Sequence, residues 1–137
     1  ALNGYQKSKC FFGFDYISII TRSLNLCNVD HFFPDTLKNK NFPGYVDGIW
    51  NLVLACKDCN RGEGGKFAKV PSLKFLERLN RRNEYFCSSH HPLRETIMSQ
   101  TGQTKDQRTK FLQKCYNSAK SKLIHNWDVE PKGTSIF

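Results

Sequence analysis

Between residues 30 and 66 the chain gathers side chains able to move protons and hold cations: Asp30-His31, then Asn51, then Cys56-Lys57-Asp58-Cys59-Asn60-Arg61, then Lys66. A neutral imidazole accepts a proton near pH 7, so His31 qualifies as a general base. The Asp30 carboxylate and the Asn60 amide oxygen are hard donors of the kind Mg²⁺ or Mn²⁺ takes. Magnesium keeps several waters, so these two ligands suffice if a substrate phosphate completes the shell. Asn51 is expected to orient His31. A base, a cation and an orienting group are together what phosphodiester hydrolysis requires. Cys56 and Cys59, in C-x-x-C spacing, read as a metal knuckle.

These residues converge only if the chain folds back on itself. The apolar runs around them predict one strand from Leu24 to His31 and an antiparallel partner from Trp50 to Ala55, which returns Asn51 to the neighbourhood of His31. A helix starting near Cys56 then carries Asn60 back across the hairpin. From Ala1 to Lys66 the pattern is otherwise one of short strands and long loops, with RGEGGK at 61–66 as the only linker-like stretch. From Pro71 the period changes to helical. Leu73, Leu76, Leu79 and Phe86 form an apolar face, with Lys74, Arg78, Arg81 and Arg82 expected on a basic outer face. Pro92 is expected as the first residue of a helix over PLRETIMSQT that Gly102 ends. Thr104 and Gln107 have capping-box spacing and open a further helix, with Phe111, Leu112, Cys115, Tyr116, Ala119 and Leu123 on its apolar face, closing near Trp127. A frayed tail is expected over 130–137. The fold class that follows is α+β in a single domain, 1–137, with an irregular first half and a helical extension over about 71–128.

Composition sets the partner class. The 137 residues carry 21 Lys and Arg against 12 Asp and Glu, a net charge of +9, and 11 Phe give ample material for a core. A sequence pI of about 9.4 points to an anionic partner, with nucleic acid foremost; a merely solvated basic surface is the plain alternative. Eight basic residues against three acidic ones lie between Lys57 and Arg82, beside the candidate site. Lys57, Arg61, Lys66, Lys69, Lys74 and Arg78 are the expected contacts to a phosphate backbone. No base-reading element is recognisable, so affinity would be electrostatic and steeply salt-dependent. No apolar run reaches the roughly 18 residues of a membrane span, and no signal peptide opens the chain. The cysteine spacing speaks for a reducing, cytoplasmic setting. The chain does not start with Met, which suits a piece of a larger protein.

In order and spacing, Asp30-His31-Phe32-Phe33-Pro34, Asn51-Leu52 and Cys56-x-x-Cys59-Asn60 resemble the motifs of HNH endonucleases, with Asn60 where many members carry a final His. The resemblance covers residues 10 to 66 approximately. It implies a ββα-metal (His-Me finger) core, DNA as substrate with RNA not set apart, His31 as base, Asn51 as the middle Asn, and Asp30 with Asn60 as ligands of a catalytic Mg²⁺ or Mn²⁺. It implies a restriction or defence setting among others, and a phosphate-contacting role for Lys66. Members with cysteines hold a structural zinc between two knuckles. Here the first would be Cys10-Phe11-Phe12-Gly13, with Gly13 at the second cysteine's place, so Cys10, Cys56 and Cys59 need a fourth ligand, from Cys27 or His90. The competing expectation is a non-catalytic zinc-knuckle module that binds nucleic acid. A secreted, disulfide-linked toxin is the third.

Overall fold

Short apolar runs broken by Asn, Asp and Gly in the first half make a hairpin, while the helical period of the second half makes three longer helices. The computed structural model describes residues 1–62, 64–123 and 125–137. The elements in chain order are α1 (Leu2–Gln6), β1 (Asn28–His31), β2 (Leu52–Ala55), α2 (Lys57–Arg61), β3 (Val70–Pro71), α3 (Leu73–Ser88), α4 (Arg94–Thr101), α5 (Lys105–Lys122) and β4 (Asn126–Trp127). The class is α+β. β1 and β2 pair antiparallel in the register Asn28 to Ala55, Val29 to Leu54, Asp30 to Val53 and His31 to Leu52. β3 and β4 form a second, parallel pair.

The hairpin strands are shorter than expected, because backbone bonds beyond them go elsewhere. Leu26 makes only an isolated bridge to Ser18, and residues 49–51 form a 3-10 turn ahead of β2. α1, which the sequence pattern does not announce, extends the hairpin by a side chain: the buried Gln6 amide donates to the Leu54 carbonyl (2.8 Å) and accepts from the Leu54 N–H (2.9 Å). One amide thus satisfies an edge residue as a neighbouring strand would.

One contiguous apolar cluster joins the hairpin to the helices, through Phe11, Phe12 and Phe32, Trp50 and Val53, Phe75, Leu79 and Phe86, Leu112 and Cys115, and Trp127. α5 opens on the expected capping box, with Thr104 accepting from the Gln107 N–H. α4 begins at Arg94, two residues later than its sequence signal, because Pro92 and Leu93 form a turn; Gly102 ends it as expected.

Two expectations are corrected. The outer face of α3 is not uniformly basic: Arg82 is 1% exposed and donates to the Leu52, Trp50 and Ile49 carbonyls (2.7, 3.0 and 3.3 Å), while Arg78 donates to the Phe11 and Phe12 carbonyls (2.6 and 2.9 Å). Burial lowers both guanidinium pKa values to about 10, which leaves them charged. These two arginines complete backbone that the loops leave unpaired. The tail is not frayed in its contacts either: the Lys132 N–H donates to the Gly13 carbonyl and Phe137 packs on Tyr5, Phe11 and Phe14. Among the described residues no helix is long and apolar enough to cross a membrane.

Candidate active site and metal centre

Alternation along β1 puts Asp30 and His31 on opposite faces at the strand's end. Asp30 turns inward and is 7% exposed, whereas His31 keeps 29% of its side chain exposed. Both line one shallow cleft of about 150 Å³, with Pro34, Asp35, Thr36, Lys66, Phe67 and Ala68. The His31 ring is held by Asp47, Nε2 to Oδ1 at 2.8 Å. Lys38 first, and His31 second, keep the Asp47 carboxyl below the usual carboxylate range, so it is ionised and accepts the Nε2 proton. That fixes the tautomer of the neutral ring and leaves Nδ1 as its proton acceptor.

The Asn51 side chain makes no hydrogen bond to His31, contrary to expectation. Its buried amide accepts from the Phe33 N–H (2.8 Å) and donates to the Phe33 carbonyl (3.0 Å) and the Val46 carbonyl (2.9 Å). It therefore closes the loop between β1 and the 3-10 turn, and so sets where the following residue, Asp47, meets the imidazole. Asp47 is the residue that motif reasoning missed. Its only sequence signal was an Asp-Gly turn in VDGIW, which advertises backbone geometry and not an imidazole partner. Asp35, Asp47 and His31 also present ligand atoms within 4.8 Å of one another, but the Lys38 ammonium sits on both carboxylates, at 2.7 and 2.9 Å.

Lys66 is the second departure. It was expected on the surface and is instead fully buried, its Nζ donating to the His31 carbonyl (3.0 Å) and the Phe67 carbonyl (3.2 Å), with Asp30 Oδ2 at 3.4 Å. Burial pushes the Asp30 carboxyl up and the Lys66 ammonium down, and each partner's charge opposes the shift. Oδ2 of Asp30 is a buried acceptor with no hydrogen bond of proper geometry. The Gly-rich turn delivers this lysine. A Cβ on Gly65 would stand 2.7 Å from the Asp58 carbonyl oxygen, so only glycine lets the chain double back on α2. The Lys66 and Phe67 N–H groups then bond the Cys59 and Asn60 carbonyls. Asn60 is half-buried on α2, which contacts β1, and its carboxamide makes no hydrogen bond among the described residues.

Comparison with protein-family models, curated proteins and solved structures finds no match. The chemistry of the site carries the functional reading alone.

A Cys-rich group capable of binding a metal joins the turn after Cys10 to the start of α2. Cys10, Cys56, Cys59 and Asp15 place their ligand atoms within 4.8 Å of one another; a tetrahedral zinc at about 2.3 Å from sulfur needs separations of roughly 3.8 Å. The expected fourth ligand is corrected: neither Cys27 nor His90 belongs to the group, and Asp15 does. The turn after Cys10 explains this, since the Cys10 N–H donates to the Asp15 carbonyl at 2.8 Å and folds Asp15 back. Oδ1 of Asp15 is buried without a hydrogen-bond partner. Gly13 fits for the same reason: a Cβ there would lie 3.1 Å from that oxygen and 3.3 Å from the Cys59 sulfur. Thiol hydrogen bonds from Cys56 and Cys59 lower the Cys10 pKa to about 3, while hydrogen bonds to Cys10 and Cys56 raise that of Cys59. A Cys10 sulfur that gives up its proton readily suits a metal ligand. All six cysteines are unpaired, so the disulfide-linked expectation finds no support.

The expected phosphate contacts divide. Lys57 and Arg61 are exposed and Lys69 is half-buried, and none of their side chains has a partner among the described residues. Lys74 is exposed but paired with Asp128 at 2.7 Å. Lys66 and Arg78 are corrected, as Lys66 Nζ and Arg78 Nη1 donate to internal carbonyls.

Proposed function

We propose that this chain is a metal-dependent nuclease that hydrolyses DNA phosphodiesters. The observation that carries the reading is the His31–Asp47 pair at the mouth of the cleft that Asp30 also lines. An imidazole whose Nε2 proton is committed to a carboxylate has its Nδ1 lone pair free to take a proton from water, and the same carboxylate stabilises the imidazolium that results. The strand, strand, helix order of β1, β2 and α2 agrees with the ββα-metal layout that the motif resemblance implies. RNA remains a second substrate for the same chemistry.

Two donors of this region are of the kind a hard divalent cation takes, Asp30 in the cleft and Asn60 on α2, outside the cleft lining. Asp30 brings a carboxylate whose Oδ2 has no hydrogen bond, only the Lys66 ammonium at 3.4 Å, and Asn60 an amide oxygen with no hydrogen bond among the described residues. A Mg²⁺ or Mn²⁺ held there would neutralise charge on the phosphate and the leaving oxygen. The rest falls to the protein's own groups: His31 removes the proton from the attacking water, Asp47 aims the ring, and Asn51 holds the loop that carries Asp47. Lys57 and Arg61, at the start and end of α2, attract the backbone of the strand.

The cysteine group we assign to structural zinc, with Asp15 as fourth ligand. Three thiolates and one carboxylate would supply the four ligands of a structural site, with no place left for a reacting group.

One observation favours a non-catalytic nucleic-acid-binding module: Lys66 already faces the carboxylate that should hold the cation. Incubating supercoiled plasmid with the protein in Mg²⁺, Mn²⁺ or EDTA decides between the two. Metal-dependent nicking or linearisation that His31→Ala abolishes, with salt-sensitive DNA binding retained, is the expected result. Binding without cleavage in either metal would leave the module reading.

A further inference from the structure

Lys66 is the charge that the proposed mechanism leaves unused. Burying a lysine removes its hydration and freezes a long side chain, and it persists only where oxygens replace the lost water. Here three do: the carbonyls of His31 and Phe67 and the Oδ2 of Asp30, around a side chain only 1% exposed. The site is built to receive it. The glycine turn brings Lys66 under β1, and the N–H groups of Lys66 and Phe67 lock that turn onto Cys59 and Asn60 of α2. Asp30 is therefore both a candidate ligand and part of the lysine's cradle, while Asn60 anchors the turn through its main-chain carbonyl.

An ammonium and a divalent cation on one carboxylate repel each other, and in a buried setting that repulsion is poorly screened. We infer that Lys66 is a resident counter-cation of this site and competes with the divalent cation for Asp30, holding metal affinity down in the free protein. The inference rests on the proposed role of Asp30 as a cation ligand. The lysine keeps the inward carboxylate tolerable when no metal is bound, and removing it should leave a buried anion that a divalent cation relieves.

The test is Mn²⁺ binding, read from the free-ion electron paramagnetic resonance signal, with zinc loaded beforehand so that Mn²⁺ reports other sites. Lys66→Gln removes the charge but keeps a donor for the His31 carbonyl. It should bind Mn²⁺ about tenfold more tightly than the wild type, and Asp30→Asn added to it should abolish the gain. Equal or weaker binding by the folded variant would overturn the inference, as would a gain that survives Asp30→Asn. If Lys66→Gln does not fold in Mn²⁺-free buffer, millimolar Mn²⁺ should restore its near-UV circular dichroism; failure to do so would also overturn it. Plasmid cleavage stands apart from this readout. Cleavage with equal Mn²⁺ affinities refutes the lysine's role alone, and a tighter variant of a protein that does not cleave refutes the nuclease alone.

Discussion

Asn51→Ala should damage both the fold and the chemistry, by one route. The amide makes three hydrogen bonds in a fully buried place, to the N–H and carbonyl of Phe33 and the carbonyl of Val46. Truncation leaves a donor and two acceptors without water. At a net of about 1 kcal/mol per bond, rising where the orphaned group stays dry, the loss comes to roughly 3 to 5 kcal/mol. Set against a total stability of about 5–15 kcal/mol, that makes the variant marginal. Urea unfolding followed by circular dichroism should show the midpoint falling by about 1 M or more at an unchanged slope. Under conditions where the variant is still folded, cleavage per folded molecule should also fall, because Val46 no longer fixes the place of Asp47. Asn51→Asp refines the test. Its second oxygen would face two carbonyl oxygens, so the native state favours a protonated carboxyl and raises its pKa. Between the ordinary carboxylate value of about 3.9 and that raised value the native state holds the extra proton, so stability falls as pH rises. A loss under 1 kcal/mol for Asn51→Ala, or full activity in the folded variant, would refute the account of Asn51 as the fastener of this loop.

Three further outcomes follow from the same geometry. Because Asp47 has its carboxyl held down by Lys38 and His31, its pairing is complete above the ordinary carboxylate range and is lost only as pH falls through the lowered value. The acid limb of the cleavage profile should then have a one-proton slope, and a two-proton slope above pH 5 would count against the pairing. The purified protein should carry one zinc by atomic emission; Asp15→Ala should surrender it faster to a chromogenic chelator, and full removal should collapse tertiary structure, since structural zinc contributes folding free energy directly. Unchanged release from Asp15→Ala would exclude Asp15 as a ligand. Lys57→Gln and Arg61→Gln should each reduce the salt slope of DNA binding by about one unit without moving the melting temperature, whereas Arg78→Gln should lower the melting temperature first. The reverse pattern would place the phosphate path over Arg78.

How much of this was legible beforehand depended on the kind of signal. The hairpin around Asp30 and Asn51, the helix after Cys56 and the cap of α5 all follow from local patterns of spacing and capping, and the structure has them at or near those positions. What the sequence hid was long-range and one-to-one. A lysine after glycines reads as exposed, and nothing local says that its ammonium will lie against a residue 36 positions earlier. Arg78 and Arg82 look like a solvated face because helical period assigns them a side but not the carbonyls that await them. Asp15 was missed as a ligand because knuckle spacing directs attention to Gly13, and the tight turn that swings the carboxylate inward shows only in three dimensions. Asp47 was hidden by distance in the chain and by its exposure.

The two arginines of α3 also impose an order on assembly. Arg78 and Arg82 supply donors to five main-chain carbonyls, of Phe11, Phe12, Ile49, Trp50 and Leu52, from positions 30 to 67 residues further along. During synthesis from the N-terminus the segment bearing His31, Asn51 and Asn60 therefore leaves the ribosome well before the groups that complete its backbone. Until residue 82 has emerged and α3 has docked, those carbonyls lack the guanidinium donors that α3 brings them. A nascent chain halted after α2 is expected to hold Asp30, His31 and Asn60 in an open, protease-sensitive segment, so that the proposed cleavage activity would arise late and all at once.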